Sequence, residues 1–121
     1  MTTLLQMESG GRRLFARATQ VHRIGPPRDE AIASPLLGAA GSRGLDVLVD
    51  GALHSLAVER ICGVVECEES TIHPLPRIAR ECLGTAALVE LVESDDELCP
   101  LLDLEALVRE RLQDKESPDG G

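Results

Sequence analysis

Apolar positions along this chain come in short runs broken by glycine, aspartate and proline, the pattern of a small β protein. Leu4–Glu8 (LLQME) and Arg12–Ala16 (RRLFA) flank Ser9-Gly10-Gly11, where glycines free to take positive φ predict a first hairpin. Arg17–Ile24 spaces Ala18, Val21 and Ile24 three apart, which predicts a short helical turn leading into a strand. Gly25-Pro26-Pro27 then breaks regular structure. Residues 28–44 (RDEAIASPLLGAAGSRG) read as a loop. Ile32, Leu36 and Leu37 can cap a core there, but Pro35, Gly38, Gly41 and Gly44 oppose regular structure.

Leu45–Val49 and Ala52–Ala57 predict a second hairpin across Asp50-Gly51, the strongest two-residue turn signal in the chain. Val58–Cys62 reads as another short turn, Gly63–Cys67 as a strand, and Ile72–Pro76 (IHPLP) as a segment held extended by its prolines. Arg77–Leu83 predicts one or two helical turns ended by Gly84. Ala86–Glu93 and Leu98–Leu102 form a third hairpin around Ser94-Asp95-Asp96-Glu97. Asp103 is placed as the N-cap of a final helix, with Leu104, Leu107, Val108 and Leu112 on one stripe and Glu105 and Arg109 spaced to pair. Shifted by 40 residues, Ala16, Ala18, Val21 and Ile24 overlie Leu56, Val58, Ile61 and Val64, each set following a glycine-containing turn. Two related β modules are therefore expected.

A length of 121 residues fits one domain, which buries about two-thirds of its unfolded surface on folding. Phe15 is the sole aromatic residue, so aliphatic side chains carry the packing, at about 25 cal/mol per Å² of apolar surface buried. The formal charge of −9 is uneven: residues 1–43 hold six Arg against three acids, and residues 44–121 hold six bases against eighteen acids. Such a surface is solubilising, and its two differently charged parts can orient partners. An acidic surface without interleaved aromatics and arginines makes nucleic acid an unexpected partner. Met1–Gly11 lacks a basic segment followed by an apolar run, so no signal peptide is expected, and no apolar run is long enough for membrane insertion. Cys62, Cys67, Cys82 and Cys99 form no CxxC pair and are expected as reduced thiols in a cytoplasmic protein.

Residue patterns for catalysis are missing. Gly41-Ser42-Arg43-Gly44 does not have the spacing of a G-x-S-x-G elbow, and the ladder Gly38, Gly41, Gly44 precedes no Lys-Ser/Thr, so neither a nucleophile turn nor a phosphate loop is present. His22, His54 and His73 share no helical face, and Cys62 and Cys67 are too far apart for a common zinc knuckle. Asp95, Asp96 and Glu97 read as a solvated turn. No metal, no cofactor and no enzymatic activity are expected; the surface of a small β scaffold carries the function.

Three segments in order, Ser55–Glu66 (SLAVERICGVVE), Ile72–Pro76 (IHPLP) and Glu97–Leu107 (ELCPLLDLEAL), resemble the second half of CheW-like domains, the coupling modules of bacterial chemosensory arrays. The N-terminal LLQMESGGRRLFARATQVHRI resembles the opening strands of the same domain. The resemblance implies an all-β fold with short helices: two small pseudo-symmetric β barrels and a C-terminal helix. It further implies a non-enzymatic adaptor whose partners are a chemoreceptor signalling domain and a CheA-type histidine kinase. On this basis residues 1–113 form one CheW-like domain, with a first module at 1–44, a second module and C-terminal helix at 45–113, and a flexible tail at 114–121.

The chain also departs from the family pattern. Members usually carry a Pro-rich segment, an Asn-x-Arg-Gly motif and a strand ending in Pro-Val-x-Asp-Leu after the first Val-x-x-Ile. Here Pro26-Pro27 and Ser42-Arg43-Gly44 keep only fragments of that stretch, while Leu45–Val49 already serves as the first strand of the second half. One strand and its helix are missing from the first barrel, which is incomplete, as in the short CheW-like proteins of gliding bacteria such as FrzB. The exposed edge is left open, plugged by residues 28–44, or paired in a homodimer. Val21 and Ile24 fall where the family places apolar receptor contacts, and Arg43 is the remnant of its Arg-Gly motif. Those three are the candidate receptor-binding residues, and Val21→Asp is expected to weaken receptor binding without unfolding the chain. Kinase binding is expected to be weakened or lost, with an ordinary receptor–kinase coupler and a homodimerising structural β domain as the competing readings.

Overall fold

Two glycine- or aspartate-containing turns set up the first two hairpins. β1 (Thr2–Ser9) returns as β2 (Arg12–Arg17), with Ser9 opposite Arg12. After a 3-10 turn at Ala18–Gln20 and β3 (Arg23–Gly25), β4 (Arg43–Val49) returns as β5 (Ala52–Val58). Asp50 and Gly51 both have positive φ (51° and 82°), the two-residue turn whose twist matches that of the flanking strands. β6 (Arg60–Cys67), a 3-10 turn at Glu69–Thr71, β7 (Ile72–Pro74), α1 (Arg77–Leu83), β8 (Leu88–Ser94), β9 (Glu97–Leu102) and α2 (Leu104–Glu116) complete the chain. This computed structural model describes residues 1–9, 11–26, 43–83 and 85–116. Gly10, most of the 28–44 loop, Gly84 and the end of the tail lie outside the described residues.

The strands form a six-stranded sheet ordered β6-β1-β2-β9-β8-β7 and a three-stranded sheet ordered β3-β4-β5. The chain is thus mostly β with two short helices, as expected, although the sheets are open and not closed barrels. All six strands of the larger sheet contribute to one apolar cluster of Leu4, Phe15, Ile72, Val92, Cys99 and Leu101, with Val65 and Cys67 packed against it. The opposite face of β1 and β2 (Leu5, Met7, Leu14, Ala16) packs on Leu45, Val47, Val49, Leu56 and Val58 of the smaller sheet and on Leu104, Leu107 and Val108 of α2. Burial on both faces explains why β1 and β2 read as nearly continuous apolar runs.

The 40-residue echo is present in the strand register. Leu5 opposite Ala16 recurs as Leu45 opposite Leu56, and Met7 opposite Leu14 as Val47 opposite His54. The third strands are exchanged: Leu5 pairs with Val64 of β6, and Leu45 with Ile24 of β3, again 40 residues apart. Each repeat lends its last strand to the first strand of the other, which locks the two sheets together.

Three local expectations need correction. Val58–Cys62 is not a turn, because β6 begins at Arg60. Gln6 pairs with Gly63 and Met7 with Ile61, so Cys62 is the extra residue of a bulge where Gly63 takes φ 142°. The i,i+3 spacing of Ile61 and Val64 spans that bulge, and that of Val58 and Ile61 spans the break at Glu59 between β5 and β6. Arg109 reaches Asp50 in the β4–β5 turn at 3.1 Å, where the helical spacing pointed to Glu105. Finally, the third hairpin closes on two residues, Asp95 and Asp96, both at positive φ, and α2 runs on through Glu116.

Candidate functional site

β3 is a short strand held at both ends of its approach. Val21 closes the 3-10 turn by donating its N–H to Ala18 O at 3.1 Å, and the next N–H, His22, donates to Asp46 O on β4 at 2.7 Å. Arg23 Nε lies 3.7 Å from Asp46 Oδ2, and Ile24 stands opposite Leu45. Val21 is half-buried, with its side chain against the core shared by the sheets. Ile24 is 44% exposed. Arg43 opens β4 as an exposed residue opposite Val58. Because Arg43 and Leu45 are two apart on β4 and Ile24 pairs with Leu45, Ile24 and Arg43 share one face at the rim of the smaller sheet. The structure brings those two together and sets Val21 behind them, turned inward. Val64, the repeat counterpart of Ile24 on β6, is an exposed apolar residue as well, at 62%.

Sequence reading missed two further features. Leu48 and Leu53 face each other across β4 and β5 on the side away from the core, exposed at 48% and 42%. Their repeat counterparts are Glu8 and Arg13, an oppositely charged cross-strand pair. The signal was available: two leucines flank Asp50-Gly51 on the polar parity of the hairpin. The second feature is Gln20. Its amide nitrogen donates to Asp103 Oδ1 at 2.8 Å, and its oxygen accepts the Leu104 N–H at 2.8 Å, while Asp103 Oδ1 also accepts the Ala106 N–H at 3.1 Å. Asp103 is therefore the N-cap that its position predicted, and Gln20 satisfies a second orphan donor of the first turn. Asp103→Ala is expected to cost about 1 kcal/mol in chemical denaturation, Gln20→Ala a similar amount, and the double variant less than the sum, because both act on one helix end.

Other chemistry on the surface is weak. Cys62 Sγ sits 3.5 Å from Glu8 Oε2, and desolvation together with that carboxylate raises its pKa. Burial raises the pKa of Cys99. Both thiols therefore stay protonated further into the alkaline range than a free cysteine, which makes them poor nucleophiles. His73 Nε2 contacts Glu93 Oε1 at 2.9 Å, but among the described residues no nucleophile joins that pair. A depression beside it is lined by Thr71, Glu93, Asp95, Asp96, Glu97 and Leu98, a set rich in carboxylates and poor in the donors that anchor a substrate. Among the described residues, no group of three or more His, Cys, Asp or Glu side chains is placed to hold a metal ion, and no helix is long and apolar enough to cross a membrane.

Neither the protein-family models nor the curated proteins contain a match to this sequence. Among solved structures, the fold is similar to that of the scaffolding protein TtCheW from Thermoanaerobacter tengcongensis, with a TM-score of 0.67 and 14% sequence identity. The similarity covers 88% of this chain and 91% of that one. The chain thus has a CheW-like fold.

Proposed function

We propose that this chain is a non-enzymatic coupling adaptor of a bacterial chemosensory array, docking the signalling tip of a chemoreceptor on the rim formed by Ile24 and Arg43. The observation that carries this reading is an exposed apolar residue, Ile24, at the position the family resemblance assigns to receptor contact, on a CheW-like fold. A helical receptor tip presents an apolar stripe, which a shallow apolar rim with one flanking cation can take. Val21 stiffens the base of this rim through its place in the shared core.

Kinase engagement is weakened in the same reading. The first hairpin places Leu4 and Phe15 in a second core, and their repeat counterparts are Gly44 and Ser55, residues that cannot build one. This supports an incomplete module whose missing strand removes a partner surface.

The test is a calorimetric titration of the full chain against a receptor signalling-tip fragment and, in parallel, the regulatory domain of a CheA-type kinase. Binding to the tip alone is the expected result. Binding to both with similar strength makes this an ordinary receptor–kinase coupler, and binding to neither removes the array reading altogether.

A further inference from the structure

α1 is an element that the core does not hold. None of its residues is buried, and none belongs to either apolar cluster. Ile78 is 75% exposed and Leu83 50%. Among the described residues its side-chain polar contact is internal, Arg77 Nε to Glu81 Oε1 at 3.3 Å, between two exposed groups. A helix of seven residues does not persist in water by itself, because so few turns do not offset the cost of nucleation. What keeps α1 ordered must therefore act at its ends.

The two ends are held differently. Ahead of α1, Leu75 donates its N–H to Val89 O at 3.0 Å, which continues the pairing of β7 with β8. Behind it, the grip comes from a side chain of α2. Glu110 is half-buried, and its Oε1 and Oε2 lie 2.7 and 2.8 Å from Thr85 Oγ1. Its Oε2 also accepts the Ala86 N–H at 2.7 Å, while Thr85 Oγ1 accepts the Ala87 N–H at 3.1 Å. Ala87 itself is fixed without Glu110. It is fully buried in the shared core, and its O accepts the Asp103 N–H at 2.7 Å.

We propose that Glu110 is a latch: its carboxylate holds α1 in place from α2, and withdrawing it releases α1, Thr85 and Ala86 as one unit while both sheets and α2 stay folded. Release costs little elsewhere, because α1 takes no buried side chain with it. Opening stops at Leu75 and Ala87, whose backbone bonds to Val89 and Asp103 do not involve Glu110. Hydrogen bonds to a carboxylate are stronger than those between neutral groups, so one side chain can decide the order of a helix that lacks packing. α1 is thus a local switch on a fixed scaffold, ordered while Glu110 is engaged and released when it is not.

The experiment is amide hydrogen exchange, read by mass spectrometry on the full chain, for wild type, Glu110→Ala and Thr85→Val. Alanine is a good helix former, so Glu110→Ala does not penalise α2 itself. It is expected to speed exchange across α1 and Ala86 about tenfold or more, with β8, β9 and α2 staying within about twofold of wild type. Thr85→Val leaves the Ala86 N–H its acceptor and should speed the same amides by less. Unchanged exchange over α1 in Glu110→Ala overturns the proposal. So does equal acceleration of α1, β8 and α2, which would make Glu110 a support of the whole fold. If Glu110→Ala fails to fold, Thr85→Val decides: faster exchange confined to α1 and Ala86 upholds the latch, and any other pattern overturns it.

Discussion

Phe15→Ala is expected to lower the unfolding free energy by about 3–5 kcal/mol, the range for truncating a buried aromatic side chain. Phe15 is 1% exposed and packs with Leu4, Ile72, Val92, Cys99 and Leu101, residues drawn from four other strands of the larger sheet. It is the only large ring available to fill the space that this sheet encloses. Aliphatic neighbours cannot collapse into the void without breaking their own packing, because core side chains are already close to crystal density. A domain of this size holds about 5–15 kcal/mol in total, so the variant loses a large share of its stability. Urea unfolding checks it: the midpoint should fall sharply while the slope stays constant, which separates a cavity from a change in the denatured state. Phe15→Leu retains most of the volume and should cost clearly less, within about 1.5 kcal/mol if the neighbours repack. A loss below about 1 kcal/mol for Phe15→Ala would mean that Phe15 is not packed in the apolar cluster of the larger sheet.

Ile24→Asp is expected to weaken binding to a receptor signalling tip by about tenfold or more while leaving the fold intact. The side chain is 44% exposed, so a carboxylate there remains solvated in the free protein and is desolvated only when the apolar stripe of a partner helix covers it. Val64→Asp is the matched control, since Val64 occupies the equivalent place in the other repeat at comparable or greater exposure. Unchanged titration curves for Ile24→Asp, with folding verified by circular dichroism, would remove β3 from the receptor interface. Val21→Asp is the less discriminating variant. Its half-buried side chain packs against the shared core, so the substitution lowers stability along with any effect on binding.

Much of the secondary structure was legible because its signals are local. Asp50-Gly51 and the aliphatic runs beside it specify a two-residue hairpin, and Asp103 ahead of a Leu104, Leu107, Val108 stripe specifies a capped helix. The bulge at Cys62 was not legible, since an extra residue in a strand shifts apolar spacing from two toward three and imitates a helical turn. The same limit hid the ion pair of Arg109. Its spacing to Glu105 is a sequence property, whereas its distance to Asp50 depends on how α2 lies across the β4–β5 turn.

For the candidate site, the sequence by itself determined the residue types, an apolar Ile24 and a basic Arg43; that Ile24 lies on a strand and that β4 begins at Arg43, inside the stretch read as a loop, came from the structure. The 40-residue echo was also determined by the sequence, because register in a hairpin follows from turn length and the alternation of apolar positions. Tertiary structure alone decided that each repeat gives its third strand to the other, which sets Ile24 beside Leu45 and leaves Val64 beside Leu5. It alone decided that Gln20 caps a helix 84 residues further on, and that Ser55 is buried. These outcomes rest on contacts between segments distant along the chain. Their energies come from burial and hydrogen bonding in the assembled fold, which no local window of sequence contains.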